Sequence, residues 1–241
     1  MPDVADHPVD LVEVWRGDLL ECVHRGHVAV CGPDGAVIQS WGDAAAVIYP
    51  RSSAKMIQAL PLVESGAADA FGLSTERLAL ACASHRGAAI HTERVERWLS
   101  EVGLGEGDLR CGSHMPGDRP AAEGLIRAGE RPCQIHNNCS GKHAGFLTLN
   151  LRLKGGSEYV EVDHPVQRAA RAAFEDTTGE DSPGWGVDGC SAPNFATTVA
   201  GLARSMASFA TAGARGDARS RAQARLVEAM MAHPDLGSGE G

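Results

Sequence analysis

Three short segments of the 241-residue chain contain the side chains that hydrolytic enzymes use. The first is residues 50–55, in which Ser52 and Lys55 are three positions apart where a strand-like stretch gives way to a helix. Positions i and i+3 share one helix face, so this spacing predicts that the Lys55 amine lies near the Ser52 hydroxyl. A buried lysine loses its proton readily and can then make a serine nucleophilic. Because S-x-x-K is a short pattern, a capped helix with an exposed lysine is the alternative.

The second segment is residues 81–85, where three small or thiol side chains precede Ser84 and His85, with His91 following. Small residues that end in a hydroxyl and an imidazole are typical of a buried segment that opens into a pocket. The alternative is the end of a core element, with Ser84 hydrogen-bonded to the backbone.

The third segment, residues 136–146, is the densest in polar and ligand-type side chains. Cores accept such groups only with partners, so a functional role is favoured. Cys139 and Lys142 are predicted to face one another at a helix start, and Cys190 could complete a metal site. Thiolates suit zinc. However, neutral lysine is a rare ligand, and C-x-x-K is not a standard zinc spacing. A glycine-lined anion cradle is the alternative, although the G-K-[ST] ending of a phosphate loop is missing.

Lysine is scarce in this chain, and that scarcity draws attention to the same segments. Of 22 basic residues, only Lys55, Lys142 and Lys154 are lysines. Arginine always stays protonated, whereas lysine can lose its proton and act as a base or a ligand. Two of the three lysines belong to the segments described above.

The overall composition excludes several classes of function. A net charge of -9 offers no basic field for nucleic acid or an anionic membrane, and 5% aromatic residues do not make a stacking platform. No apolar run approaches the roughly 18 residues that span a bilayer. Residues 1–10 lack the pattern of an export signal, so the seven cysteines are expected to be reduced thiols in a soluble, cytoplasmic protein.

The hydrophobic pattern predicts strands first and helices afterwards. This order indicates a mixed α/β protein of the α+β class, in which strands and helices do not alternate regularly. Strands are expected within residues 11–49, including a hairpin around the turn sequence at residues 32–35, and again at residues 159–162. Four helices are predicted. They are residues 53–68, residues 92–102, a helix capped by Asp163 with Pro165 in its first turn and Gly179 past its end, and residues 217–233, where Pro234 is expected to stop the helix.

Taken together, the motifs resemble the Rhizobium-type L-asparaginase family, which is also called the thermolabile or asparaginase II family in bacteria. The matching segments follow one another over nearly the whole chain: residues 16–18, 24–30, 50–55, 60–66, 80–85, 136–145, 163–167 and 185–190. So many separated motifs in one order are specific to a family.

The resemblance implies a serine β-lactamase-like or glutaminase-like α/β fold with flanking helices, and a homodimer. It also implies that the substrate is the small molecule L-asparagine, which is hydrolysed to L-aspartate and ammonia. Within the family pattern, Ser52 and Lys55 match the first Ser-Lys pair, and Ser84 matches the serine of a second pair.

The resemblance also implies a metal site and substrate contacts. Cys139, Lys142 and Cys190 match the ligands of a zinc ion at the pocket. Arg51 matches a contact to the substrate α-carboxylate and Asp188 a contact to its α-amine, while His143 matches a further contact. One fixed cation and one fixed anion suit a zwitterionic amino acid.

At its C-terminus the sequence departs from the family. Chains of the family continue beyond residues 237–241, and the lysine of the second Ser-Lys pair lies in that continuation, whereas no lysine follows Lys154 here. We therefore expect residues 1–241 to form a single asparaginase-type domain that is C-terminally incomplete and that is inactive, or nearly so, without the continuation. Two other functions are considered. The first is a penicillin-recognising acylase or β-lactamase, which shares S-x-x-K but would also carry S-D-N and K-T-G, and neither motif occurs in this sequence. The second is an inactive zinc-binding remnant.

Overall fold

The computed structural model describes residues 7–238, and its strands form four separate antiparallel pairs. The pairs are β1 with β2, β3 with β4, β5 with β8, and β6 with β7. The strands are β1 (Val9–Arg16), β2 (Leu19–Gly26), β3 (Val28–Cys31), β4 (Val37–Trp41), β5 (Val47–Ile48), β6 (Trp185–Val187), β7 (Pro193–Phe195) and β8 (Thr197–Thr198).

Helices make up most of the remaining chain. The α-helices are α1 (Lys55–Glu64), α2 (Ala67–Ala70), α3 (Thr75–Cys82), α4 (Ala89–Glu101), α5 (Arg119–Ala128), α6 (Ser140–Leu153), α7 (Pro165–Thr178), α8 (Val199–Ala210), α9 (Ala218–Ala232) and α10 (Pro234–Ser238). Short 3-10 turns cover Arg51–Ala54, Glu106–Asp108, Gln134–His136 and Ala212–Ala214. The mixed content agrees with the α/β or α+β class expected from the sequence.

The core lies where α1, α3 and α6 meet, with α7 and α9 packed against α1. Helix α6 is buried from Ser140 to Asn150 and crosses α3 at close range. A Cβ atom on Gly141 would lie 2.5 Å from the carbonyl oxygen of Leu80, and one on Gly145 would lie 3.2 Å from the Cβ of Ala81. Glycine at these positions therefore permits the close approach of the two helices.

The predicted strands at the start of the chain are confirmed, and so is the hairpin at residues 32–35. In that turn the Gly35 N–H donates to the Gly32 carbonyl, and β3 pairs with β4 on either side. The predicted second helix is present as α4, which begins three residues earlier than expected.

Several expectations about helix boundaries are wrong. The helix predicted over residues 53–68 ends at Glu64, because Gly66 adopts a left-handed conformation with φ 75°. Helix α7 is capped by His164, whose side chain accepts a hydrogen bond from the Val166 N–H, and not by Asp163. Pro234 does not simply end a helix, since α10 begins there. A proline fits the first turn of a helix because its missing N–H is not needed there.

The strand predicted at residues 159–162 is also wrong. This segment forms successive turns, in which the Glu161 N–H donates to the Glu158 carbonyl and the His164 N–H donates to the Glu161 carbonyl. The sequence expectations for the two chain ends, an N-terminus without an export signal and an incomplete C-terminus, fall partly on residues 1–6 and 239–241, which are outside the described residues.

The first hairpin, β1–β2, exposes apolar side chains. Trp15 is 55% exposed and Leu19 is 76% exposed, and several neighbours are similarly uncovered: Leu11, Val12, Val14 and Leu20. Apart from this hairpin, the exposed apolar side chains include several on other strands: Val30, Val37, Ile38, Trp41, Val47, Trp185 and Val187. Among residues 7–238, no helix has the length and apolar character needed to cross a membrane.

Candidate active site

A buried lysine and a serine meet at the centre of the molecule. Lys55 is the first residue of α1 and is only 2% exposed, and its Nζ atom lies 2.8 Å from the Oγ atom of Ser84. The same amine donates to the carbonyl oxygen of Ala83, just beyond the C-terminal end of α3. Burial lowers the pKa of Lys55 below its ordinary value, which favours the neutral amine. A neutral amine in this position can accept the Ser84 hydroxyl proton.

The structure does not give Lys55 the serine partner expected from the S-x-x-K spacing. Ser52 is exposed in the 3-10 turn before α1, and its side chain forms no hydrogen bond with any described residue. The two residues are connected only by a backbone hydrogen bond, which the Lys55 N–H donates to the Ser52 carbonyl. The lysine side chain points inward to the end of α3 instead. The spacing thus placed Ser52 and Lys55 on adjoining turns but not in side-chain contact.

Two cysteines and a second lysine lie beside this pair. Cys139 immediately precedes α6, Lys142 lies in its first turn, and Cys190 follows β6; all three are at most 4% exposed. The Lys142 Nζ donates to the Cys190 sulfur over 3.1 Å, and the Cys190 thiol lies 3.7 Å from Oδ2 of Asp188. The helix boundary confirms the predicted helix start at Cys139 and Lys142, but the hydrogen bond of the Lys142 amine goes to Cys190 and not to Cys139.

The electrostatics of this group favour a thiolate next to an ammonium. Interaction with the Cys190 thiol, supported by the two nearby lysines, lowers the pKa of Cys139 to about 5. Burial opposes the charge on Lys142, but the Cys190 and Cys139 sulfurs raise its pKa overall. The opposite charges therefore compensate one another in a place where neither could be buried alone.

The donor set can be compared with what zinc requires. Within residues 7–238, no group of three or more histidine, cysteine, aspartate or glutamate side chains forms a metal site. The residues expected to bind zinc include only two of that kind, Cys139 and Cys190, and the third is the amine of Lys142. A thiolate at Cys139 and an amine in contact with Cys190 fit the preference of zinc for sulfur and nitrogen ligands. Lys142 would first have to release its proton.

The entrance to the site is formed by charged residues on turns. Arg51 is 65% exposed and forms an ion pair with Asp188, whose side chain is 12% exposed. Arg51 has φ 53° and Ser191, three residues after Asp188, has φ 68°. Residues other than glycine rarely adopt such values, and strained backbone is concentrated at functional sites. Arg51 and Asp188 thus offer one cation and one anion side by side.

His143 extends the buried group towards α7. Its ring is fully buried, its Nδ1 atom lies 2.8 Å from the hydroxyl of Tyr159, and its Nε2 atom has no hydrogen-bond partner among the described residues. Burial lowers the pKa of His143 to about 4, although contact with the Cys190 thiol opposes this shift. The imidazole is therefore neutral near neutral pH.

Two positions near the site were not identified as site residues by sequence reasoning. Tyr159 was expected in a strand, and no local motif marks it. Ser140 was part of the densest segment, but its partner could not be foreseen: His85 Nε2 lies 3.0 Å from the Ser140 hydroxyl. His85 also stacks on His91 with ring centroids 4.8 Å apart. The histidines that follow Ser84 thus support the wall of the site.

Glycine in the third segment has a packing role. The glycine-lined anion cradle that the sequence left open is not favoured, because Gly141 faces the backbone of α3 at close range. Its conformation belongs to a regular helix, and its neighbour Lys142 is bound to Cys190.

Comparison with known proteins adds one finding. The family model described as L-asparaginase II matches residues 12–241, which is nearly the whole chain. No individually curated protein matches the chain well enough to be compared with it.

Proposed function

The chain belongs to the L-asparaginase II family, and on this premise we propose that it hydrolyses the side-chain amide of L-asparagine, giving L-aspartate and ammonia. Membership in this family supports the assignment of the chain as an amidohydrolase that acts on an amino acid. The observation that supports the chemistry is the 2.8 Å contact between Lys55 Nζ and Ser84 Oγ in a buried setting. The fold we propose is the serine β-lactamase-like or glutaminase-like one implied by the sequence motifs.

In the proposed reaction, neutral Lys55 takes the Ser84 hydroxyl proton while Oγ attacks the amide carbon of the substrate. The C–N bond then breaks, and the departing nitrogen takes the proton back from Lys55 as ammonia forms. Water hydrolyses the resulting acyl-serine ester, so that L-asparagine and one water yield L-aspartate and ammonia. Splitting the reaction into two steps in this way is the usual advantage of a covalent intermediate.

Ser52 has a separate place in this proposal. It is exposed at the site entrance, next to Arg51, and its hydroxyl is not among the hydrogen-bond partners of the Lys55 amine, which are Ala83 and Ser84. We assign it the role of a second catalytic serine that contacts the substrate or relays protons. The Lys55–Ser84 contact makes Ser84 the first choice for the acylated residue.

Substrate recognition is assigned to the entrance residues and to His143. Arg51 would bind the α-carboxylate and Asp188 the α-amine, so the present ion pair between them is replaced by the two charges of the substrate. His143, which is buried beside Cys190, would provide a further contact to the substrate. A zwitterion satisfies both charges at once, and a substrate lacking either group would leave one of them unpaired.

We also propose that Cys139, Lys142 and Cys190 hold a zinc ion. When bound, zinc would act as a Lewis acid that polarises and positions a substrate oxygen. Without it, the charges of the same three side chains already offset one another, because the lysine ammonium donates to a cysteine sulfur. Binding of zinc would therefore replace the extra proton of Lys142 with a metal cation between the same three side chains.

A homodimer is the assembly we propose. Exposed apolar side chains on β1–β2, among them Trp15 and Leu19, are a candidate contact surface for a second copy of the chain. Large exposed apolar patches mark association surfaces in soluble proteins. Light scattering coupled to size exclusion would report a dimer, and Trp15→Glu would shift it towards monomer if this hairpin is the contact.

The direct test is ammonia release from L-asparagine, with L-glutamine and the β-lactam nitrocefin assayed in parallel. We expect release from L-asparagine and none of the nitrocefin colour change. The matched variant is Lys55→Met, with Lys154→Met as control because Lys154 is an exposed lysine at the end of α6. If folded protein cleaves nitrocefin and leaves L-asparagine intact, the proposed function is wrong.

A further inference from the structure

Ser84 lies just beyond the end of α3, in a short segment that is anchored on both sides. Before the serine, the carbonyl of Ala83 accepts a hydrogen bond from the Lys55 amine. After it, the His85 backbone N–H donates to the carbonyl of Asn138 over 3.1 Å. The residue before Ser84 is therefore attached to α1, and the residue after it is attached to the turn that leads into α6.

The side chain of His85 adds a second connection to α6. The residue is 1% exposed, its Nδ1 atom accepts a hydrogen bond from the Gly87 N–H over 3.1 Å, and its Nε2 atom lies 3.0 Å from the hydroxyl oxygen of Ser140. A backbone N–H can only donate, so Nδ1 carries no proton and the N–H of the ring is on Nε2. Nε2 therefore donates to the Ser140 oxygen, and both ring nitrogens have a partner.

Close packing restricts the chain on the far side of the same histidine. The ring of His91 stacks on that of His85, with centroids 4.8 Å apart and an angle of 11° between the planes. Gly87 has φ 72°, and a Cβ atom there would lie 2.8 Å from the carbonyl oxygen of His136. The segment after Ser84 therefore has little room to shift while the His85 ring keeps its hydrogen bonds.

We propose that His85 is a positioning residue, whose hydrogen bond to Ser140 keeps Ser84 at the right distance from the Lys55 amine. Both nitrogens of the ring are bound, so the ring acts on the reaction only through the serine next to it. The 2.8 Å contact between Lys55 Nζ and Ser84 Oγ has to be kept within a fraction of an ångström for proton transfer and attack. This role rests on the proposed function, in which Ser84 is the acylated residue.

The first test compares three variants in the hydrolysis of L-asparagine. His85→Phe keeps an aromatic ring against His91 but has no nitrogen, His85→Gln can keep a donor for Ser140, and Ser140→Ala removes the acceptor. We expect kcat to fall by about ten- to a hundredfold in His85→Phe and by about tenfold in Ser140→Ala, with KM changed by no more than about twofold. His85→Gln should recover most of kcat. A change in KM with kcat unchanged would overturn the proposal.

The double variant and a control separate positioning from a general loss of stability. If one hydrogen bond carries the effect, His85→Phe combined with Ser140→Ala should lower kcat no further than His85→Phe alone. The control is Thr148→Val, which removes another fully buried hydroxyl from α6, one that bonds to Trp98 and to the Ala144 carbonyl. It should lower the melting temperature and leave kcat unchanged. Losses that multiply in the double variant, or a control that loses as much kcat as Ser140→Ala, would contradict the proposal.

A second measurement does not depend on turnover of L-asparagine. Phenylmethanesulfonyl fluoride forms a sulfonyl ester with an activated serine and releases fluoride, and mass spectrometry of the digested protein locates the label. We expect Ser84 to be labelled in the natural protein and about tenfold more slowly in Ser140→Ala. Ser140→Ala is the milder change and decides the question if His85→Phe does not fold.

The labelling also separates a failure of the positioning role from a failure of the proposed function. Equal labelling rates in the natural protein and Ser140→Ala would overturn the positioning role, and so would a natural protein that is not labelled at Ser84, because it would have no activated serine to position. Labelling that is slowed as expected, in a protein that releases no ammonia from L-asparagine, would support the positioning role and contradict the proposed function.

Discussion

The candidate site has two parts that are built in opposite ways. We call Lys55, Cys139, Lys142, His143 and Cys190 the inner cluster, and Arg51, Ser52 and Asp188 the rim. Every side chain of the inner cluster is at most 4% exposed, and most come from helices of the core. The rim lies on short turns, where Arg51 has an unusual backbone conformation and a largely exposed side chain.

Under the proposed function, this difference assigns the reaction to the inner cluster and substrate binding to the rim. Buried charges must be paired, so the members of the inner cluster hold one another in fixed protonation states and positions. The rim charges are partly solvated and their pairing costs little to break. We therefore expect substitutions in the inner cluster to lower kcat and also stability, and substitutions in the rim to raise KM.

The largest effect is expected for Lys55→Met. The variant keeps the length and apolar stem of the side chain but removes the base next to Ser84, so turnover should fall by about a thousandfold or more. Steady-state ammonia release measures it. Lys154→Met, at an exposed position, should keep the natural rate. A Lys55→Met protein that retains a tenth of natural turnover would show that the lysine is not the base.

The second prediction concerns metal in the inner cluster. Protein purified without chelator should contain one zinc per chain, and Cys139→Ser or Cys190→Ser should lose it. Elemental analysis measures the content, with Cys22→Ser as control because Cys22 is exposed on β2. Zinc that persists in both inner variants would place the metal elsewhere.

Zinc affinity should also fall as the pH is lowered. Protons compete with the metal for thiolate and amine, and the pKa of Lys142 is raised by the neighbouring sulfurs, so its proton is released only with difficulty. Binding titrations at mildly alkaline and mildly acidic pH should show weaker binding in acid. Equal affinity at both would mean that no titrating ligand is involved.

A smaller effect, confined to binding, is expected at the rim. Arg51→Met should raise KM for L-asparagine by about ten- to a hundredfold, the cost of a lost charged hydrogen bond, with little change in kcat. The control is Arg119→Met, an exposed arginine on α5. A fall in kcat without a change in KM would place Arg51 in the chemistry and end the division between rim and inner cluster.

The smallest effect is on stability and involves two glycines in helices. Gly141→Ala forces a Cβ atom against the Leu80 carbonyl and should destabilise the protein by about 1–3 kcal/mol. Gly124→Ala, in α5 with open space around it, should stabilise it by about 0.5–1 kcal/mol. Denaturant unfolding of both variants measures the difference. Equal midpoints would mean that the close approach of α3 and α6 is not needed.

Local signals in the sequence predicted part of the local structure. The turn residues at 32–35 predicted the β3–β4 hairpin, and Asp217 predicted the start of α9, where it accepts a hydrogen bond from the Ser220 N–H. The cap of α7 was assigned to Asp163, because aspartate is a common capping residue, whereas the hydrogen bond from the Val166 N–H is accepted by His164.

The structure brings most of the predicted site residues together, but not in the predicted pairings. Lys55 was expected beside Ser52, since the two are close in sequence, whereas its hydroxyl partner is Ser84, which is 29 positions away. Such a pairing depends on how α1 packs against the end of α3, and no short-range pattern contains that information. Tyr159 gave no signal for the same reason, since its contact with His143 depends on how separate parts of the chain pack together.

The central claim is that Lys55 activates Ser84, and one comparison tests it most directly. Ser84→Ala and Ser52→Ala are assayed side by side for ammonia release, with circular dichroism to confirm that both are folded. We predict that Ser84→Ala loses about a thousandfold or more in kcat, as expected for a nucleophile, and that Ser52→Ala loses less. If Ser52→Ala is the inactive variant while Ser84→Ala retains natural turnover, the Lys55–Ser84 contact is not the catalytic pair.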